Sequence, residues 1–139
     1  MGPTSSTSAG RAIGLLLPPL AVMAVIFYLS SQPGAADYAT WEVVLRKLGH
    51  VTGYALLAFA WWRAFRGLLH PGHRFAALIA AGGVTLTYAI TDEIHQTFVS
   101  GRSGTPVDVL VDSVGIAAAL LLAARLSRPS RDVADPEGT

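Results

Sequence analysis

A chain of 139 residues is long enough for one domain, and its composition is that of a membrane protein. Hydrophobic residues make up 52% of the chain and charged residues only 14%, whereas soluble domains carry about 25% charged residues. The net charge of +1, without a basic stripe, excludes a nucleic-acid-binding surface, so we expect no nucleic-acid partner. Because the chain has no cysteine, disulfides, thiolate nucleophiles and thiolate metal sites are excluded as well.

Four apolar stretches follow one another along the chain, and each has close to the length that crosses a bilayer. A helix of about 20 residues spans a hydrocarbon core of about 30 Å. None of the stretches alternates between apolar and polar residues, so none is a candidate strand. The sequence predicts an all-α, integral membrane bundle with transmembrane helices over residues 12–30, about 41–65, 75 to about 91, and about 107–126.

The first stretch leaves two questions open. Pro18 and Pro19 should kink the helix or delay its regular start, because proline removes a backbone donor. Arg11 before an apolar run, with the small residues Ala35 and Ala36 after it, is also a signal-peptide pattern. Since the run is long and the cleavage site is poor, we favour a first span that is retained.

Both ends of the chain are polar and contain proline, which predicts disordered tails over 1–11 and 127–139 around a membrane domain over 12–126. Basic residues predict the direction of the spans, because they concentrate on the cytoplasmic side. One side would carry Arg11, Arg63, Arg66, Arg74, Arg125, Arg128 and Arg131, and the other only Arg46, Lys47 and Arg102. Both termini are therefore expected in the cytoplasm.

Ionisable side chains gather near the outer ends of the second, third and fourth spans. His50 lies 13 residues before Arg63, and Asp112 lies 13 residues before Arg125. Both should therefore lie about 20 Å above the inner surface of the membrane. A lipid-facing charge at this depth costs a few kcal/mol, so these side chains should turn inward. We expect a polar pocket among these three spans that opens outward, with the first span behind it.

Helical spacing places further polar residues on the same faces. The sets that share a face are Lys47, His50 and Tyr54; Asp92 and Gln96; Glu93 and Gln96; and Asp108 and Asp112. Asp92 and Glu93 point about 100° apart on a helix, so one should face the pocket while the other pairs with Arg102 or faces water. His95 lies off that stripe, and we expect it to be solvated.

The order and spacing of these residues resemble those of the VanZ family. The matching pattern is Lys47-x2-His50-x3-Tyr54, then Asp92-Glu93-x2-Gln96-x-Phe98-x3-Arg102-x-Gly104-x3-Asp108-x3-Asp112-x2-Gly115, with Ser30-Ser31-Gln32-Pro33 after the first span. The resemblance covers about residues 27–122. It implies a four-helix protein of the bacterial cell membrane, in a family named after a teicoplanin-resistance determinant. It implies no reaction, so whether the protein is an enzyme stays open.

The pocket residues divide into candidates for chemistry and candidates for binding. Imidazole titrates near neutral pH, which makes His50 the leading candidate for acid/base chemistry. Asp112 lies more than a turn inside a membrane helix, where an unpaired carboxylate is costly. We name His50, Asp112 and Glu93 as catalytic candidates. The candidates for substrate binding are Lys47, Tyr54, Asp92, Gln96, Arg102 and Asp108.

Several candidates also have a structural alternative. The segment Thr105-Pro106-Val107-Asp108 has the pattern of a helix start, in which Asp108 would close a capping box. Arg102, in a glycine-flanked loop, suits a phosphate or carboxylate, or it could hold the loop through an ion pair. His50 and the carboxylates could hold a metal, but no tight spacing such as HExxH is present, so we expect no metal and no cofactor.

Two functions are compatible with these residues. The pocket would bind or modify a lipid-linked or peptidoglycan-related envelope molecule among the membrane lipids. That activity would fit a lowered sensitivity to teicoplanin, which acts at the outer face of the membrane. Alternatively, the protein is a non-catalytic scaffold whose polar residues form an interhelical ion-pair network. The sequence predicts no oligomeric state.

Overall fold

Helices make up most of the chain that the computed structural model describes, which comprises residues 5–34 and 40–127. They are α1 (Ser5–Ser30), α2 (Thr40–Leu68), α3 (Arg74–Gln96) and α4 (Pro106–Leu126), with a 3₁₀ turn at Pro71–His73 between α2 and α3. The prediction of an all-α fold is confirmed. All four helices are long and apolar enough to cross a membrane.

Helix α1 begins at Ser5, seven residues before the expected start, so the predicted disordered tail over 1–11 is helical from Ser5 onward. No proline separates this segment from the apolar run, and extending a helix that has already formed costs little. Pro18 and Pro19 lie inside the helix and do not delay its start. The remaining predictions for the tails, the cleavage site at Ala35-Ala36 and the positions of Arg128 and Arg131 lie outside the described residues.

Helix α2 lies at the centre of the bundle and packs against α1, α3 and α4. Its Tyr54 and Leu57 are fully buried, and alanines of α3 and α4 pack around them. Helices α2 and α4 approach closely where Gly115 lies against the backbone of Val51. A methyl group on Gly115 would overlap the Val51 carbonyl oxygen, so only glycine fits at this crossing.

Large apolar side chains cover the outside of the bundle. Phe27, Tyr28, Leu56, Ile79 and Leu121 are each more than half exposed. A soluble protein rarely leaves so much contiguous apolar surface uncovered. In a bilayer these side chains face lipid, while the helices satisfy their own backbone hydrogen bonds.

The two ends of the bundle differ in the segments that meet there. At the end that we call the termini end, Arg11 of α1 donates to the Gly67 carbonyl (3.3 Å) and Arg74 donates to the Ser127 carbonyl (3.2 Å). At the opposite end, the loop end, the Gly34 amide donates to the Ser100 carbonyl (2.9 Å), which joins the two connecting segments. Four crossing helices place both termini on the same side of a membrane; that this side is the cytoplasm stays a prediction.

Candidate functional site

A polar cavity of about 230 Å³ lies at the loop end, among α2, α3 and α4. The predicted convergence of three spans on one pocket is thereby confirmed. Its walls include Lys47 and His50 of α2, Glu93 and Gln96 of α3, Asp108 and Asp112 of α4, and Arg102 of the loop between α3 and α4. The roles assigned to these residues stay predictions, but their placement around one cavity is a feature of the fold.

Three of them form the floor of the cavity, which we call the His50 cluster: His50, Glu93 and Asp112. One ligating atom from each lies within 4.8 Å of the other two. His50 Nδ1 is 3.6 Å from Asp112 Oδ2, an ionic contact slightly longer than a hydrogen bond. Asp112 is 1% exposed and Glu93 5% exposed, so the two carboxylates lie at the deepest part of the site. The equal spacing from Arg63 and Arg125 predicted that His50 and Asp112 lie at one level of the bundle, and the two side chains are neighbours there.

Glu93 is held in place by donors from two neighbouring segments. The backbone amide of Thr105 donates to Glu93 Oε2 (3.1 Å), and Gln96 Nε2 donates to Glu93 Oε1 (3.3 Å). The first of these bonds ties the start of α4 to the end of α3. Glu93 is therefore the member of the predicted Asp92–Glu93 pair that faces the cavity.

Asp92 points away from the cavity into the contact between α1, α2 and α3. Its Oδ2 atom accepts three hydrogen bonds, from Ser30 Oγ (2.8 Å), Tyr54 Oη (3.0 Å) and Gln96 Nε2 (3.0 Å). The expectation that the second carboxylate faces water or Arg102 is therefore wrong for Asp92, which is only 3% exposed. The reason is that α1, which carries no charge here, supplies a hydroxyl partner that helical spacing could not reveal.

At the mouth of the cavity, Lys47 forms an ion pair with Asp108. Thr105 caps α4 as predicted, because its Oγ1 accepts from the Asp108 amide (3.3 Å). Pro106 takes the first helical position, as expected. The predicted capping box is only half formed: Asp108 Oδ2 accepts from Thr105 Oγ1 (2.6 Å), whereas the Thr105 amide donates to Glu93. The Asp108 carboxylate also lines the cavity beside Lys47.

Arg102 closes one side of the cavity and fastens its loop to α1. Its Nε donates to the Gln32 carbonyl (2.9 Å), its Nη2 to the Leu29 carbonyl (2.6 Å) and its Nη1 to Gln96 Oε1 (3.1 Å). Leu29 lies in the last turn of α1, whose carbonyls lack partners within the helix and attract cations. Arg102 therefore holds the loop through these oxygens while it also lines the cavity.

A second cavity, of about 380 Å³, lies between α1 and α2, and the sequence did not predict it. Its walls are mainly apolar, with Ile26 and Leu29 of α1 on one side. Arg46, His50 and Arg102 line both cavities, so the two spaces share a wall. Arg46 was not among the candidates, although its spacing of four residues from His50 places both on one face of α2. We call this space the α1–α2 cavity.

A sequence model of the VanZ/LLP1 family matches residues 15–127. The chain belongs to the VanZ/LLP1 family. This match covers most of the chain, including the polar cavity, and makes the protein a multi-pass membrane protein with four candidate spans. Comparison with the curated proteins and with the solved structures gives no match.

Two further side chains of this VanZ/LLP1 protein bind α1 to α3. His95, which we expected to be solvated, stacks on Phe27 with ring centroids 4.9 Å apart, and its Nε2 lies 3.1 Å from Ser31 Oγ. The expectation is wrong because α1 packs over this face of α3. Tyr88 likewise donates to the Met23 carbonyl (2.7 Å). These contacts hold α1 in place as a wall of the α1–α2 cavity.

Proposed function

We propose that this VanZ/LLP1 protein binds an amphipathic molecule of the cell envelope, lipid-linked or peptidoglycan-related, at the outer face of the membrane. The observation that carries the proposal is the shared wall of Arg46, His50 and Arg102 between a cavity lined by charged side chains and a second, more apolar cavity. A polar head in the first cavity and an apolar chain in the second would both have matching surroundings. Such a ligand would enter from the lipid phase, where α1 and α2 lie.

The charges of the polar cavity favour a head group that is anionic. Arg46, Lys47 and Arg102 lie around it, and the Lys47 side chain is 48% exposed, whereas Asp112 is 1% exposed. Lys47 is thus nearer the mouth, and the carboxylates of Asp112 and Glu93 are nearer the floor. Arginine binds phosphate and carboxylate through two parallel donors, so Arg46 and Arg102 suit such a head.

The His50 cluster supports modification of the ligand as well as binding. An imidazole beside a carboxylate moves protons near neutral pH, and both groups line the space that the head would occupy. His50 would transfer the proton, while Asp112 and Glu93 would orient the imidazole and stabilise its charged form. Any reaction of the bound head would therefore take place at this cluster.

The distribution of basic residues would direct the cavity away from the cytoplasm. Teicoplanin acts at that outer face, so a protein that holds or alters an envelope molecule there would lower sensitivity to the antibiotic. This phenotype belongs to the proposal, and it connects the site to a measurable property of the cell.

Mass spectrometry of the lipids that remain bound to the purified protein tests the binding. The wild-type protein should retain one anionic envelope lipid above the background of bulk lipid, and Arg46→Gln should lose it. Arg63→Gln is the matched control, because Arg63 is an exposed arginine of the same helix toward the termini end. Equal lipid content in all three proteins would contradict the proposal.

The cellular test replaces two residues of the His50 cluster. His50→Ala and Asp112→Asn, produced at wild-type levels, should abolish any lowering of teicoplanin sensitivity that the wild-type protein confers. The minimum inhibitory concentration measures the effect, and an immunoblot of membranes checks the level. A phenotype that persists in both variants would refute a role for the His50 cluster.

A scaffold without catalysis is the second candidate, and the bonds of Asp92 favour it. This carboxylate joins α1, α2 and α3, and the Lys47–Asp108 pair joins α2 to α4. In a scaffold, His50→Ala and Asp112→Asn would lower the melting temperature in detergent along with the phenotype. Intact stability with a lost phenotype supports the binding site instead.

A further inference from the structure

We infer that the His50 cluster is a binding site for a divalent transition-metal ion, of which Zn²⁺ fits best. This inference goes beyond the proposed ligand and does not depend on it. A bound ion would take the place of the proton on His50, so it replaces the acid/base role proposed for that residue. Three side chains from three different helices place one nitrogen and two carboxylate donors within 4.8 Å of one another. Imidazole and carboxylate are ligands that zinc accepts together.

The state of Asp112 is the independent observation that points to a cation. The residue is 1% exposed, and among the residues that the structure describes, neither of its carboxylate oxygens has a hydrogen-bond donor. The nearest basic group is His50, whose Nδ1 lies 3.6 Å from Asp112 Oδ2, beyond hydrogen-bond distance. A buried carboxylate without donors is strongly disfavoured unless a cation compensates it. Asp112 lines the polar cavity, so a metal ion in that space would reach it.

The distances suit zinc after small side-chain rotations. Zinc bonds of 2.0–2.2 Å in tetrahedral geometry separate the ligand atoms by about 3.4 Å. The ligand atoms, which lie within 4.8 Å of one another, must therefore approach by up to about 1.4 Å on metal binding, which requires the side chains to rotate. Three protein ligands leave the fourth position of zinc open toward the cavity. Mg²⁺ and Ca²⁺ prefer six or more oxygen ligands, and the mixed set of three ligands suits them less well.

Surrounding groups orient the ligands in the manner of a second coordination shell. The Thr105 amide and Gln96 Nε2 each donate to one oxygen of Glu93, which leaves further lone pairs on both oxygens for a metal. The six charged side chains of the cavity, three cationic and three acidic, cancel one another. A bound Zn²⁺ would make the site cationic, which suits an anionic head group.

Direct metal binding to the full chain tests the inference. The protein is purified in detergent through a tag without histidines, stripped with a chelator and titrated calorimetrically with Zn²⁺, Mg²⁺ and Ca²⁺ separately. We expect one Zn²⁺ per chain, binding tighter than Mg²⁺ or Ca²⁺, and elemental analysis should confirm the ratio. Asp112→Asn, Glu93→Gln and His50→Gln should each weaken zinc binding by about tenfold or more.

His73→Gln is the control, because His73 is an exposed histidine at the termini end and should not affect binding. Zinc should also raise the melting temperature of the wild-type protein and of His73→Gln, but not that of Asp112→Asn. The inference is overturned if the wild-type protein binds no zinc, binds Mg²⁺ or Ca²⁺ more tightly, or if all three cluster variants bind zinc like the wild type. Lipid retention is measured separately, so a wild-type protein that binds no zinc but still retains its lipid would refute the metal site and leave the proposed function intact.

Discussion

Replacing Gly115 with alanine tests whether the close crossing of α2 and α4 is what assembles the floor of the site. Gly115 follows Asp112 by three residues on α4, and it lies against Val51, the residue after His50 on α2. A methyl group at this position would overlap the Val51 carbonyl oxygen. Because the obstacle is helix backbone and cannot rotate away, the two helices must move apart.

The size of the effect follows from two opposing contributions. Alanine stabilises a helix by up to about 1 kcal/mol relative to glycine. Overpacking of a tight contact costs about 1–3 kcal/mol, and backbone overlap belongs at the upper end of that range. Gly115→Ala should therefore destabilise the bundle by about 2 kcal/mol. The same separation would pull His50 away from Asp112.

Gly83→Ala is the matched control, because Gly83 also lies inside a helix but is exposed. Apart from its own helix and chain neighbours, no heavy atom of the described residues lies within 4 Å of a Cβ added there. Both variants gain the higher helix propensity of alanine, so the difference between their free energies of unfolding measures the steric cost at Gly115. Reversible unfolding in mixed detergent, followed by circular dichroism, measures that difference. Equal stability of the two variants would refute the claim that glycine is required at the crossing.

Three further predictions concern the orientation of the bundle, the buried carboxylate of Asp92 and the ion pair of Lys47. In an otherwise cysteine-free chain, Ser103→Cys should react with an impermeant maleimide on intact cells and Gly72→Cys should not; the reverse pattern would invert the topology. Asp92→Ala should lower the free energy of unfolding by about 3 kcal/mol, because three donors lose their common acceptor. Lys47→Ala, which breaks a partly exposed ion pair, should cost less than about 1 kcal/mol in the same unfolding assay, and a loss as large as that of Asp92→Ala would contradict this ranking.

The existence and depth of the polar cavity could be predicted from sequence because helix geometry and lipid leave few alternatives. The rise per residue fixes the depth of His50 and Asp112 relative to Arg63 and Arg125, and the cost of a lipid-facing charge turns both inward. The capping pattern located the start of α4 for a similarly local reason. Each of these predictions needs only the geometry of a single helix and its position in the membrane.

Features that depend on how helices are rotated and paired could not be predicted. Whether Asp92 or Glu93 faces the cavity is decided by α1, whose Ser30 gives no periodic signal because Ile26 and Phe27, one turn before it, are apolar. The α1–α2 cavity and the stacking of His95 on Phe27 have the same origin, since both require the position of α1 against the other helices. The early start at Ser5 shows that composition alone sets a poor boundary for a helix whose first turns are polar.

Asp92 and Asp112 are both buried, but they differ in the hydrogen-bond donors that surround their carboxylates. Asp92 Oδ2 accepts from Ser30, Tyr54 and Gln96, so the fold supplies donors to a carboxylate where it needs a rigid joint. Asp112 is at least as buried, yet within the described chain its oxygens face only a distant imidazole and a cavity. Packing alone would favour an apolar residue at that position, because an uncompensated charge inside a membrane helix destabilises the bundle. Locally unfavourable residues of this kind are expected where a protein binds something. The proposed cation or ligand would give Asp112 the compensation that the helices themselves do not supply.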